Sequence, residues 1–179
     1  MKCFKAFIII AILGIGAGMG LMYSGIINVA ATNPHSPVVS WALSTASDKS
    51  IHYHAKGIKA PPVTGHAMVL AGFRHYREMC VGCHLAPGIK SSEIRKGLMP
   101  QSPKLQEAAE EWTPAELFWV IKNGIKMTGM PAWGPTHSDE KLWQLVAFVK
   151  QLPKMTPAQY KAMDVEAGPD VGDEDHHTH

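Results

Sequence analysis

Met79-Cys80-Val81-Gly82-Cys83-His84 is the stretch around which the rest of the chain is organised. Two cysteines three positions apart, followed directly by a histidine, form the attachment motif of a c-type haem. Both thiols add to the vinyl groups of one porphyrin, so they must lie on a single short turn, with His84 beneath the iron. Gly82 has no side chain that would crowd the macrocycle. The motif predicts one covalently bound haem c, held by Cys80 and Cys83 with His84 as an axial ligand.

A Cys-x-x-Cys pair also occurs in redox-active disulfides and in zinc sites. A zinc site needs further ligands, but the remaining cysteine, Cys3, lies at the far end of an apolar run. A thioredoxin-like site needs a βαβ pattern, and the sequence around the motif has no such pattern. The haem interpretation is therefore favoured.

The length and charge of the chain limit the number of domains and the kinds of partner that it can have. Its 179 residues suit one domain with appendages. The 17 basic and 15 acidic residues are nearly balanced, which gives no indication of nucleic-acid binding. A haem supplies a large apolar body, so a domain of about ninety residues can be stable around it.

Residues 1–32 are predicted to form a transmembrane anchor. No charged residue occurs from Ala6 to Ala31, after a start that carries Lys2 and Lys5. A helix over this range would span about 39 Å, enough for a hydrocarbon core of about 30 Å. The alternative is a signal peptide cleaved after Val29-Ala30-Ala31, although the apolar region of signal peptides is usually about 7–15 residues long. In both cases the positive end stays inside, which places the haem domain on the periplasmic side of a bacterial cytoplasmic membrane.

Residues 33–63 are predicted to form a juxtamembrane helix and a Pro-containing linker. Ser36 followed by Pro37 is typical of a helix start. Trp41 suits the membrane interface. His52 and His54 lie two apart on this helix and point in different directions, so they are interpreted as solvated residues rather than as metal ligands.

Residues 64–163 are predicted to form the haem domain, with a short helix at its C-terminal end. One helix is expected from Thr64 to Cys80, before the haem motif. Cap signals mark three further helix starts, at Thr113-Pro114-Ala115-Glu116, Ser138-Asp139-Glu140 and Thr156-Pro157-Ala158-Gln159. No segment has a convincing strand pattern, so the predicted fold is all-α.

A loop rich in Met, Gly and Pro lies between two of these helices: Lys126-Met127-Thr128-Gly129-Met130-Pro131-Ala132-Trp133-Gly134-Pro135. Met130 is favoured as the second axial ligand, because Gly129 lets the backbone approach and Pro131 stiffens the loop. Met127 and Met99 are the alternatives for this ligand. Methionine more often serves as a flexible core filler, and that role also stays open for Met130.

The order of these features resembles a class I (monohaem) cytochrome c, over about Thr64 to Leu152. The resemblance implies a compact helical fold in which the first and last helices cross near Gly72-Phe73 and Trp143. It also implies His84/Met130 ligation and electron transfer at an exposed haem edge. The N-terminal anchor is absent from the small soluble members and resembles that of membrane-anchored members, which serve respiratory chains.

With both axial positions filled, the iron has no open site for a substrate, so the sequence predicts an electron-transfer protein rather than an enzyme. No small-molecule substrate is expected, and the expected partners are redox proteins of a respiratory chain. Four lysines are candidates for steering an acidic partner, with an ordinary solvated surface as the alternative: Lys90, Lys96, Lys122 and Lys126.

Two other functions remain open. If Met130 does not bind the iron, a five-coordinate haem would bind gases or reduce peroxide, with His75, Tyr76 and His137 as candidate distal groups. The cytochrome would instead be a subunit of a larger oxidoreductase if its anchor packs against a partner. Glycines four apart, such as Gly14 and Gly18, permit such a contact but do not require it.

The last segment, residues 164–179, is acidic and ends in His176-His177-Thr178-His179. Three histidines in four residues can bind a transition metal loosely. A solvated, disordered tail is the favoured interpretation.

Overall fold

The computed structural model describes residues 2–169. Over these residues the chain is helical, and β-type pairing is limited to an isolated bridge between Ala86 and Ile89, which confirms the all-α prediction. The chain divides after Pro34 into two units. The helices are α1 (Lys2–Tyr23), α2 (Pro37–Ala55), α3 (His66–Met79), α4 (Val81–His84), α5 (Glu93–Gly97), α6 (Leu105–Ala108), α7 (Pro114–Asn123), α8 (Asp139–Val149), a 3-10 turn (Leu152–Lys154) and α9 (Pro157–Ala167).

The N-terminal unit contains α1, which is long and apolar enough to cross a membrane; a signal sequence has the same properties. The helix ends at Tyr23, well before Ala31, so the expected helix over the whole uncharged run is wrong in extent. Gly25 adopts a φ of +71°, and the Ser24 hydroxyl donates to the Leu21 carbonyl at 2.7 Å. Both features are typical of helix ends. At about 1.5 Å per residue, α1 is still about 33 Å long.

Four helices of the second unit begin where the cap signals predict. The side chains of Ser36, Thr113, Ser138 and Thr156 each accept a hydrogen bond from the backbone N–H three residues later. Thr113 forms a complete capping box with Glu116, as Thr156 does with Gln159. These bonds satisfy N–H groups that have no partner inside a helix, which is why the starts can be read from the sequence.

The core forms where α3 crosses α8. A side chain at Gly72 would place its Cβ 1.9 Å from the carbonyl oxygen of Gln144, so the two backbones are in direct contact there. The rings of Phe73 and Phe148 meet edge to face at 5.3 Å. The predicted crossing at Gly72-Phe73 is confirmed. The Trp143 side chain stacks on Phe118 of α7, with ring centroids 4.1 Å apart.

The helix α2 contacts α7, although the sequence assigned it to a segment outside the haem domain. The second half of α2 contains the buried residue Ile51. His54 stacks on Trp119 at 5.5 Å, and His52 Nδ1 lies 2.9 Å from a carboxylate oxygen of Glu116. The two histidines are solvent-exposed, as expected, but they also connect α2 to α7.

The last helix, α9, packs on α3. The ring centroids of Tyr160 and Phe73 lie 5.1 Å apart, and Arg77 forms an ion pair with Asp164 with an N–O distance of 2.8 Å. The helix continues to Ala167, four residues beyond the expected end of the haem domain at residue 163, so the first part of the expected tail is helical. The histidines predicted as a solvated tail, His176, His177 and His179, lie outside the described residues.

Candidate haem site

The two motif cysteines lie on one turn between α3 and α4. Cys80 joins the helices, and its carbonyl oxygen accepts hydrogen bonds from the N–H groups of Cys83 at 3.1 Å and His84 at 2.8 Å. Both thiols are free and half-buried. Burial, together with the neighbouring Cys83, raises the pKa of the Cys80 thiol to about 12. The turn therefore presents two thiols and an imidazole within five residues.

The ring of His84 is held by a backbone carbonyl. Its Nδ1 lies 2.8 Å from the carbonyl oxygen of Pro103. A carbonyl can only accept, so Nδ1 carries the proton and Nε2 keeps a free lone pair. Burial lowers the pKa of His84; the bond to Pro103 opposes this shift, and the positive charge of Arg95 adds to it. The neutral imidazole that results is the form that binds a metal.

The segment between the haem motif and α6, which contains the short helix α5, forms hydrogen bonds to the backbone of the haem-binding turn. The hydroxyl of Ser92 donates to the Gly82 carbonyl, and that of Ser102 donates to the Cys83 carbonyl. Arg95 Nε donates to the Ser102 carbonyl at 3.0 Å. Ser92 also caps α5 by accepting from the Arg95 N–H. These residues were missed in the sequence; the cap pattern at Ser92 was a usable signal, whereas nothing marked Ser102.

The candidate distal groups of a five-coordinate haem have other partners. Tyr76 is buried, and its hydroxyl donates to the Leu85 carbonyl at 2.6 Å. The ring of His137 lies edge-on to Trp133, with ring centroids 5.4 Å apart, and 6.4 Å from the ring of His75. Tyr76 therefore contacts the residue after His84, while the two histidines lie together beside the Met-containing loop.

The three candidate methionines differ in exposure. Met127 is 98 % exposed and adopts a φ of +58°, and Met99 is 36 % exposed. Met130 is half-buried and packs against the core. Its carbonyl accepts from the Ile125 N–H at 3.2 Å, and its own N–H donates to the Thr128 hydroxyl at 3.1 Å. Of the three thioethers, that of Met130 is the one packed inward and held by a closed loop.

Two glycines allow the loop to close. Gly124 ends α7 with a φ of +65°, and a Cβ there would lie 2.8 Å from the Met130 carbonyl oxygen and 2.7 Å from the Pro131 carbonyl carbon. At Gly129 a Cβ would lie 2.5 Å from the Leu98 side chain. The backbone around Met130 therefore lies directly against the end of α7, and the loop also contacts the segment that follows the haem motif.

The candidate steering lysines are not equivalent. Lys122 Nζ lies 2.6 Å from a carboxylate oxygen of Asp139 and 5.5 Å from the centre of the Phe118 ring. This contact links α7 to the start of α8, so Lys122 has a structural role. Lys90, Lys96 and Lys126 are exposed.

The donor set fits a covalently attached haem. Two thiols on one turn suit the two vinyl groups, and His84 offers Nε2 while Nδ1 is occupied. A hydrogen bond on the second ring nitrogen is the usual outer-shell partner of a metal-ligating histidine. Met130 supplies a soft thioether on the loop before α8.

The helical fold and this turn define a c-type cytochrome domain. Residues 67–149 match the family described as subunit III of the cbb3-type cytochrome c oxidases. The match implies covalently bound haem c and a haem-based electron-transfer function. It begins in α3 and ends with α8, so it covers the two helices that cross at Gly72. No curated protein and no solved structure matches the chain.

Proposed function

We propose that the protein is a membrane-anchored c-type cytochrome that carries single electrons between redox partners of a respiratory chain. Its one haem c is held by Cys80 and Cys83 and ligated by His84 and Met130. The observation that carries this proposal is the orientation of His84, because Pro103 occupies Nδ1 and leaves Nε2 for the iron on the turn that bears both cysteines. The haem domain lies on the periplasmic side of a bacterial cytoplasmic membrane.

The assignment of Met130 is supported by its burial. An axial thioether must reach the haem from inside the domain, and the side chain of Met127 is almost fully exposed. Met130 packs against the core, and its loop is closed by hydrogen bonds from Ile125 and to Thr128. Because the Met130 loop is already ordered, the bond from its thioether to iron would cost little further conformational entropy.

The chemistry of electron transfer follows from these ligands. When bound, the haem supplies a one-electron couple between ferric and ferrous iron. With His84 and Met130 as its ligands, the iron would have no free position for a substrate, and the same ligands would serve both oxidation states. The thioether of Met130 favours the ferrous state and so raises the reduction potential. The hydrogen bond from His84 to Pro103 keeps the imidazole in one tautomer and orientation.

Membrane attachment is proposed through residues 1–32. The apolar α1 has the length of a span, and Lys2 and Lys5 at its start favour a cytoplasmic N-terminus. Trp41, at the start of α2, is 67 % exposed, which suits the membrane interface. The haem domain is proposed to begin at residue 64 and to include α9 to its end at Ala167, with residues 33–63 as the segment that connects it to the anchor.

A second candidate is a fixed subunit of a larger membrane oxidoreductase. The observation that favours it is the match of residues 67–149 to a family named for an oxidase subunit. Mild detergent extraction of the full chain at native expression, followed by native gel electrophoresis and haem staining, separates the two candidates. A stable high-mass haem band supports the subunit, and a band at the mass of the chain alone supports the free carrier.

The proposal is tested by absorption spectra of the purified full chain, oxidised and reduced, with and without carbon monoxide. We expect covalently held haem and a low-spin spectrum that carbon monoxide does not change. Met130→Ala should lose the weak red band of ferric iron ligated by methionine, and the matched variant Met127→Ala should keep it. A high-spin spectrum of the native protein, or one sensitive to carbon monoxide, would contradict the carrier function.

A further inference from the structure

The carbonyl of Pro103 accepts from His84, but the Pro103 backbone cannot fix the position of this carbonyl by itself. Pro103 has no N–H group, and it lies between α5 and α6 in a stretch without secondary structure. The carbonyl that orients the axial histidine is therefore positioned by its neighbours. The nearest neighbour, Ser102, is held at two points, since its hydroxyl donates to Cys83 and its carbonyl accepts from Arg95.

Arg95 is itself fixed. It lies on α5, where its N–H donates to the hydroxyl of Ser92 at 3.1 Å, and that hydroxyl donates to the Gly82 carbonyl. The side chain then reaches Ser102 through Nε at 3.0 Å. Arg95 thus connects the start of α5 to the residue before Pro103, and both ends of this connection contact the haem-binding turn.

The geometry also places the charge of Arg95 near the site. Its guanidinium donates to the carbonyl of Ser102, the residue directly before the one whose carbonyl accepts from His84. An arginine side chain stays protonated throughout the working pH range. A permanent positive charge near the proximal ligand disfavours the additional charge of ferric iron, because like charges repel strongly in a half-buried site.

We infer that Arg95 is a positioning residue for the axial histidine, and that it raises the reduction potential of the haem. It holds the Ser102–Pro103 segment that accepts from His84, and it places a fixed positive charge beside that ligand. This inference rests on the proposed function, since it requires His84 to ligate the iron.

The test is the midpoint potential of full-chain Arg95→Gln, with Lys96→Gln as the control that removes a neighbouring exposed charge. In Arg95→Gln we expect the equilibrium constant for one-electron reduction to fall by about threefold to tenfold, where tenfold corresponds to about 59 mV. In the reduced variant, the His84 Nδ1 proton should also exchange with solvent faster than in the wild type. Nuclear magnetic resonance measures this exchange rate. Lys96→Gln should leave both quantities unchanged.

Arg95→Lys keeps the charge but lacks the guanidinium fork, so it should retain most of the potential while the Nδ1 proton exchanges faster. Arg95→Lys also allows the inference to be tested if Arg95→Gln does not fold with haem attached. The inference is overturned if the arginine variants match Lys96→Gln in both potential and proton exchange. The wild-type spectrum separates this failure from that of the proposed function, because low-spin haem insensitive to carbon monoxide would still establish the carrier.

Discussion

The hydroxyl of Tyr76 lies 2.6 Å from the carbonyl oxygen of Leu85, the residue directly after the axial histidine candidate. Leu85 adopts a φ of +61°, a conformation that costs a non-glycine residue about 1–3 kcal/mol. Burial, together with the neighbouring Cys80, raises the pKa of Tyr76 well above its usual value, so the phenol remains a donor. Helix α3 thereby fixes the chain on both sides of His84, since it leads into Cys80 and also holds Leu85.

Replacing Tyr76 by Phe should destabilise the folded protein by about 1–3 kcal/mol, because the buried Leu85 carbonyl loses its donor. Tyr160→Phe is the matched control, since that ring packs on Phe73 but its hydroxyl does not contact Leu85. Urea unfolding of both variants with haem attached measures the difference. Equal stability of the two variants would show that the Tyr76 hydroxyl does not hold the turn.

The parts of the structure that could be predicted have local signals. The capping box of Thr113 and Glu116 lies within one turn of helix, and the haem motif lies within five residues. The acceptor of His84 is different, because Pro103 is nineteen residues away and no spacing rule selects it. The end of α1 at Tyr23 was missed because apolar character continues to Ala31, while the turn at Gly25 depends on backbone conformation.

Packing between distant segments was also only partly predictable. The crossing at Gly72 follows from the resemblance to a cytochrome c, because a small residue permits close approach of two helices. The contact of α2 with α7 had no such guide. Its partners, His54 and Trp119, lie far apart in the sequence, and a polar helix surface does not reveal which neighbour it meets.

Gly72→Ala should disrupt the crossing of α3 and α8. The added Cβ would lie 1.9 Å from the Gln144 carbonyl oxygen, and a backbone atom cannot move aside as the end of a side chain can. Overpacking of this kind typically costs about 1–3 kcal/mol and sometimes more. Gly57→Ala is the control, since nothing lies within 4 Å of a Cβ there. Thermal unfolding should show a lower midpoint for Gly72→Ala, and the same midpoint for both variants would contradict the observed crossing.

Gly124→Ala should weaken the Met130 ligand through the loop backbone, while the thioether itself is left unchanged. The φ of +65° is unfavourable for alanine, and the new Cβ would lie 2.8 Å from the Met130 carbonyl oxygen. We expect the weak red band of ferric methionine ligation to decrease while covalent haem remains attached through Cys80 and Cys83. Gly97→Ala, where a Cβ meets open space, should keep the band. A full band in Gly124→Ala would indicate that the loop has room to adjust.

The ionised carboxylate of Glu116 should stabilise the folded domain, so the domain should be more stable at a pH above the pKa of Glu116 than at a pH below it. Burial raises the pKa of this carboxyl, which is 15 % exposed, but the bonds from Thr113 and His52 outweigh burial and hold the pKa below the usual 4.5. The unfolded chain therefore binds the proton more readily, so the stabilisation is present above about pH 4.5 and is lost as the pH falls through the lower folded value.

Glu116→Gln should therefore be less stable than the wild type at pH 6, and the difference should shrink as the pH falls below about 4. The exposed Glu140, in the first turn of α8, provides the matched control Glu140→Gln. Urea unfolding of the haem-loaded protein at pH 6, 5, 4 and 3 measures the difference in the free energy of unfolding for each variant. A difference between Glu116→Gln and the wild type that stays constant across this range would show that the carboxylate charge at Glu116 does not stabilise the fold, and that the Thr113 cap acts through its hydroxyl alone.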